Sequence, residues 1–206
     1  VPPGEAAAIA ALERFIAEAL GDYADGRDRP DLVGTSRLSP HLAFGEIAPW
    51  RVLERVEASE AERVGQALSG STTGVGGDTT DGAAPGAEPF VRQLHWREFG
   101  GYLLNHFPHT ATRPLRAAFE AMPWAEDPAG LDAWRAGRTG FPLVDAGMRE
   151  LAATGWMHNR VRMLAASFLT KDLLLPWHEG ERLFWESLAD ADPGNNALGW
   201  QWVAGS

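Results

Sequence analysis

PLVDAGMRELAATGWMHNRVRMLAASFLTKDLLL, residues 142–175, decides the fold class. Pro142 pre-sets the backbone of a first helical turn, Val144, Met148 and Leu151 recur at helical spacing, and Gly155 closes the segment. A second run, Met157–Leu175, repeats the pattern through Val161, Leu164, Phe168 and Leu169, and Pro176 stops it. Both segments are long, with apolar residues three and four apart. Period-two alternation, the mark of a half-buried strand, is absent.

The rest of the chain reads the same way. Ile9, Leu12, Ile16 and Leu20 form one apolar stripe, with a stop at Gly21. Asp22–Gly34 is polar and turn-rich and predicts a loop. Ser39-Pro40 reads as an N-cap and first-turn proline of a short helix ended by Gly45. Pro49 starts a further helix with Val52, Leu53 and Val56 on one face, and Glu88 opens a helical stretch to Pro108. Short helices are predicted over Leu131–Ala136 and Glu181–Ala189, and a last one from Pro193 to the end. Ser69–Ala87, SGSTTGVGGDTTDGAAPGA, is low-complexity and predicts a flexible loop. It is not a phosphate loop, since Thr79 stands where a third glycine should be and no Gly-Lys-Ser/Thr follows. The expectation is an all-α fold with no internal repeat.

Composition narrows the function. The 206 residues are 45% hydrophobic and 22% charged, an ordinary globular balance that rules out wholesale disorder. The absence of cysteine rules out disulfides, thiol nucleophiles, iron–sulfur clusters and Cys-ligated zinc. No run of 18 apolar residues exists to span a membrane, and no basic leader precedes an apolar stretch, so a cytoplasmic setting is expected. The net charge of −10 argues against nucleic acid as a partner. Charge is uneven, however: residues 134–171 hold Arg135, Arg138, Arg149, Arg160, Arg162 and Lys171 against Asp145 and Glu150. Such a local excess predicts a face able to meet phosphates. Tryptophan is abundant, 9 against 2 tyrosines.

Seven sequence words go further: GTSRLSP at 34–40, QLHWREF at 93–99, TGFPLVDAGMR at 139–149, TGWMHNRVRM at 154–163, ASFLTKD at 166–172, DAD at 190–192 and NNALGWQW at 195–202. Together, and in this order, they resemble the flavin-binding helical domain of the DNA photolyase/cryptochrome family. The likeness covers nearly the whole chain except 69–87. It implies a single domain over 1–206 that holds a U-shaped, non-covalent FAD, active when reduced, and no metal. It also implies a monomer acting on DNA that contains pyrimidine dimers. The family places an α/β antenna domain, with its own chromophore, ahead of this region and further contacts after it, so the stretch reads as a fragment.

The resemblance assigns residues, each with a chemical reason. Thr35, Ser36, Arg37, Leu38 and Ser39 would hold the FAD phosphates, with hydroxyls and amides at a helix start suiting an anion; taken alone they read as a plain cap. Tyr23, Phe90, Gln93, Arg97, Asn159 and Arg162 fall at further cofactor positions. Asp190 and Asp192 would contact the ribose and the polar edge of the isoalloxazine. Asn196 would face flavin N5, where a neutral amide accepts from N5–H and tolerates the reduced anion; plant cryptochromes carry an acid there. Arg162 and Asp172 are expected to form a buried ion pair. Trp124, Trp177 and Trp200 match the family's electron-transfer chain, Trp200 innermost and Trp124 near solvent, although any one of them alone reads as core packing.

A lesion pocket would be built from Trp96, Asn159, Met163 and Trp202, with Gln93 and Arg160 touching DNA. Two indoles would sandwich a dimer flipped out of the duplex, the general strategy of photolyases. Six-four enzymes place His where this chain has Asn159 and Met163, so the implied substrate is the cyclobutane dimer. Two positions depart from the pattern: Gln93 replaces a glutamate that many such enzymes use on the thymine, and Phe90 replaces a tryptophan of some members. The implied function is light-driven splitting of cyclobutane pyrimidine dimers, a carbon–carbon lyase reaction. The alternative is a cryptochrome-like blue-light photoreceptor that binds FAD without repair.

Overall fold

The structure is a computed structural model that describes residues 2–70 and 86–206, and of 67–70 the backbone alone. Among the described residues all regular structure is helical, as the periodicity predicts, and no helix is long and apolar enough to cross a membrane. The loop expected at 69–87 lies outside the described residues except for its two helical ends. Contacts divide the chain into two compact units, Val1–His95 and Trp96–Ser206.

The first unit packs α1 (Glu5–Glu18) against α4 (Pro49–Gly70), with α2 (Tyr23–Gly26), α3 (Ser39–Ala43) and the start of α5 (Ala87–His106) around them. Ala8, Ala11, Leu12 and Phe15 of α1 meet Val52 and Val56 of α4 in one core. Arg55 of α4 grips Glu13 of α1 with two hydrogen bonds, 2.7 and 2.9 Å. Tyr23, expected in a loop, opens the one-turn α2, and its ring meets Phe15 and Phe90 edge-on at 5.5 and 5.4 Å between centroids. The short helix at Ser39 starts at Ser39 itself rather than being capped by it, and no side chain caps it.

The second unit holds α6 (Pro128–Arg135), α7 (Pro142–Thr154), α8 (Asn159–Ser167), α9 (Trp177–Ser187) and α10 (Pro193–Ala204), with two 3-10 turns at Pro108–Ala111 and Ala117–Ala121. Helix α10 packs on α8 and α9, and α7 packs on α8. Between them lie Trp134, Met148, Met157, Leu169, Trp177 and Trp200. The α7 end is as read: Gly155, in the left-handed region at φ 68°, donates its N–H to the Leu151 carbonyl. Helix α10 likewise ends on a left-handed Gly205.

The long helix expected over Met157–Leu175 is two pieces. His158 caps α8 by accepting from the Arg160 amide, and Phe168–Asp172 form a π turn closed by a Leu173 N–H to Phe168 carbonyl bond of 3.0 Å. Phe168, Leu169 and Thr170 are buried in succession in this wider turn. Leu174, at φ 54°, then turns the chain toward Pro176.

Candidate functional site

In the second unit a cleft enclosing about 540 Å³, its open mouth included, is lined by α8 (Asn159, Arg162, Met163, Ala166), the 188–192 loop and α10 (Asn195, Asn196, Gly199, Trp200, Val203), with Phe184 of α9. Seven residues singled out from sequence meet there: Asn159, Arg162, Met163, Asp190, Asp192, Asn196 and Trp200. Their spacing of 41 positions is closed by α8 and α10 crossing.

Polar groups around the cleft are fixed by their neighbours. The Arg162 guanidinium pairs with both oxygens of Asp190, at 3.0 and 2.8 Å, while its Nε donates to the Met157 carbonyl at 2.7 Å. The expected Arg162–Asp172 pair is therefore corrected: the partner is Asp190, whose side chain is buried, and Asp172 is exposed. Asp192 is the N-cap of α10, with Oδ1 accepting from both the backbone N–H and the Nδ2 of Asn195 at 2.8 Å. Asn195 Nδ2 also reaches the Arg97 carbonyl, 3.1 Å. The two carboxylates thus shape the cleft through protein partners as well as bounding it.

Asn196 is oriented by a residue that the sequence did not single out. Its Nδ2 donates to the backbone carbonyl and to Oε1 of Glu181, each at 2.9 Å. With both amide hydrogens engaged, Oδ1 is the group left to accept a hydrogen bond from an occupant. Burial pushes the Glu181 carboxyl above the usual carboxylate range, against the opposing pull of the Asn196 bond and the nearby His178. Glu181 sits in an acidic run that reads as a solvated face, and only the packing of α9 on α10 reveals its use.

Trp177 and Trp200 are both buried in the core, and Trp124 packs against that core from a half-buried position. The Trp200 indole lies over Gly180, where an added Cβ would fall 2.0 Å from its Cη2. Gly180 is one turn along α9 from Trp177. Trp134 and Phe184 meet Trp200 edge-on at 6.1 and 5.0 Å.

The exposed pair Trp96 and Trp202 is in contact, 6.4 Å between centroids, but tilted by 59°. The two rings stand as an open wedge presented by α5 and α10. On α8, Asn159 Nδ2 and Arg160 Nη1 both approach Met163 Sδ, at 3.8 and 3.5 Å.

The first unit groups the other sequence candidates. The Thr35–Ser39 segment follows Gly34, which packs so closely on α2 that a Cβ would lie 2.6 Å from the Gly26 carbonyl oxygen. Leu38 is buried and anchors the segment, its N–H bonded to Ser36 Oγ at 3.3 Å. Arg37 holds a left-handed φ of 52°, a costly conformation for an L-residue outside glycine. Tyr23 and Phe90 are buried together. Gln93 is held at both ends of its amide, accepting from Arg27 Nη2 at 3.3 Å and donating to the Pro89 carbonyl at 3.1 Å.

The basic face is smaller than its count. Arg135 is bonded to Glu179, Arg149 to the Gly137 carbonyl and Arg162 to Asp190. Arg138 and Lys171 are exposed, and Arg160 is half-buried beside Met163.

Residues 90–206 match the FAD binding domain of DNA photolyase. The chain is 47% identical over 98% of its length to a deoxyribodipyrimidine photo-lyase of Thermus thermophilus and 40% identical over 99% to Cryptochrome-1 of Arabidopsis thaliana, covering 43% and 28% of those proteins. A bacterial class III photolyase from Agrobacterium tumefaciens superposes with a TM-score of 0.85 at 44% identity, over 99% of this chain and 38% of that one. The chain spans about two fifths of the length of the photo-lyases it matches.

Proposed function

Because this chain belongs to the DNA photolyase family, we propose that residues 1–206 form its FAD-binding catalytic domain and take part in light-driven repair of cyclobutane pyrimidine dimers in DNA. The observation that carries the reading is Asn196: a neutral amide whose nitrogen is pinned by Glu181 and whose oxygen is left for an N–H donor in the cleft. The cleft fits a flavin in its chemistry, with an apolar wall from Trp200, Phe184, Leu188 and Val203 and a polar rim of amides and carboxylates.

Bound and reduced, FAD would supply under light the single electron that opens the dimer's ring, with no net redox change. The chain's own residues do the rest. Asn196 would accept a hydrogen bond from the flavin's N–H and, being neutral, would leave the reduced anion unrepelled. The Arg162–Asp190 pair holds the rim. Thr35, Ser36, Ser39 and the amides about Arg37 bind the phosphates. Trp96 and Trp202 form a wedge that suits the bent shape of a dimer better than a flat base, and Asn159 with Met163 lies at the cleft's own edge. Trp124, Trp177 and Trp200 carry electrons from solvent inward. Gln93, held by Arg27, offers an amide to the thymine where relatives use an acid. We place this action in the cytoplasm, by a monomer, with any antenna pigment bound outside this stretch.

Similarity to Cryptochrome-1 and to a Synechocystis cryptochrome, TM-score 0.83 at 32% identity, supports a second reading, a light sensor without repair. Illumination of dimer-containing DNA with the flavin-loaded protein, beside a dark control, decides between them. Restoration of intact thymines only in the light is expected; flavin photochemistry without repair would leave the sensor.

A further inference from the structure

Trp177 does not sit alone in its core. The imidazole of the next residue, His178, stacks on its indole with 3.7 Å between centroids and 25° between planes. Trp177 is buried and His178 is exposed. On its far side His178 Nε2 lies 2.9 Å from the carbonyl oxygen of Thr112. A carbonyl only accepts, so Nε2 carries the hydrogen in either charge state and Nδ1 is the nitrogen that gains or loses a proton. A titratable group with access to water is therefore clamped face to face on a buried indole.

We propose that His178 sets the readiness of Trp177 to give up an electron, and so makes refilling of the flavin's electron supply dependent on pH. The inference rests on the reading of Trp124, Trp177 and Trp200 as an electron chain. In that chain Trp200 loses one electron to the light-excited, oxidised flavin. Trp177 then gives one electron to Trp200, becoming a radical cation, and regains one from Trp124; no proton moves in either step. While Trp177 carries its positive charge, an imidazolium stacked on it repels that charge, whereas a neutral imidazole does not. At this separation, even at the effective dielectric of a protein surface, the repulsion is large enough to slow the step by about tenfold or more.

Few other charges face the imidazole. On its own helix Glu181 feels it, and Glu179 is occupied by Arg135 and Arg182. Helix α10, packed on α9, bears no charged side chain; the π turn contributes the exposed Lys171 and Asp172, and the segment beyond Thr112 contributes Arg113. Only His178 among them is in ring contact with Trp177.

The test follows flavin reduction under blue light, with excess external thiol, at pH 8.5 and 5.5, in the flavin-loaded protein and in variants. The wild type slows about tenfold in acid. His178→Gln stays fast at both values, and His178→Arg, a permanent planar cation that still stacks, is slow at both. In the dark, the His178 ring protons resonate upfield from the indole ring current and lose that shift in Trp177→Leu. A His178→Gln variant that keeps the wild-type pH profile, an arginine variant as fast as the glutamine one, or the lack of a ring-current shift each overturns the proposal. Trp177→Phe separates the premise: if it still photoreduces at the wild-type rate, the chain reading falls and this one with it. If it is inactive while the His178 variants match the wild type, only the His178 role falls.

Discussion

Gly180 is a glycine because an indole occupies the space of its side chain. With Trp200 Cη2 2.0 Å from any Cβ there, Gly180→Ala must push α9 from α10 or turn the ring. Overpacking of this kind costs about 1–3 kcal/mol. A lower denaturant midpoint and an altered near-ultraviolet circular dichroism of tryptophan are the expected results. Arg162→Leu strands the buried Asp190 carboxylate and is expected to cost about 3 kcal/mol, allowing for the part of the guanidinium that water reaches; Asp190→Asn, which keeps an acceptor, costs less. Denaturant titrations of the two variants check the order. Residue identities in the cleft were legible from the motif words, but partners were not. Arg162 meets a carboxylate 28 positions away rather than 10, and Glu181 acquires its role only where two helices touch. No local spacing encodes either contact.

The helices were the most legible level, because proline and glycine punctuate them. Pro142, Gly155, Pro193 and Gly205 stand at or beside real ends, and the apolar stripes face real cores. The misses include a one-turn helix at Tyr23, an α9 that begins at Trp177 rather than Glu181, and a helix that starts only at Asn159 and widens at Phe168. Two element ends invite measurement. Asp192→Ala removes the cap of α10 and should cost about 1 kcal/mol, with Asp192→Asn largely rescuing it. At α7, Asp145 accepts from the Thr139 hydroxyl at 2.6 Å and from the Thr139 and Gly140 amides at 2.7 and 2.9 Å. The hydroxyl first, then the amides and Arg149, hold its carboxyl below the usual carboxylate range despite burial. A group lowered on folding adds stability at neutral pH and withdraws it as acid protonates the folded form. Asp145→Asn should therefore be less stable at pH 7 and show a shallower loss on acidification, read as melting temperature against pH.

For the molecule as a whole, charge was the least informative reading. A net −10 argues against DNA, and Arg135, Arg149 and Arg162 of the basic cluster that argues for it are spent on internal bonds. On the proposed repair reading, the remaining basic groups and the indole wedge set partner choice. Arg160→Ala should weaken damaged and undamaged duplexes alike and reduce the slope of log K against log salt by about 1. Trp96→Ala should instead erode the preference for damaged DNA by about 1–3 kcal/mol at fixed salt. Titrations of both duplexes at several salt concentrations separate the two effects.

The π turn at Phe168–Asp172 also acts as a phase setter. Each residue of an α-helix advances the chain by about 100°, so one residue taken up in a wide turn decides the angle at which everything beyond it leaves. Deleting Thr170 would let the segment relax into regular helix while rotating its exit by that amount. The indoles at 177 and 200, both downstream, would then be aimed away from their present neighbours without either having been mutated. A single codon there governs the bearing of the last 36 residues.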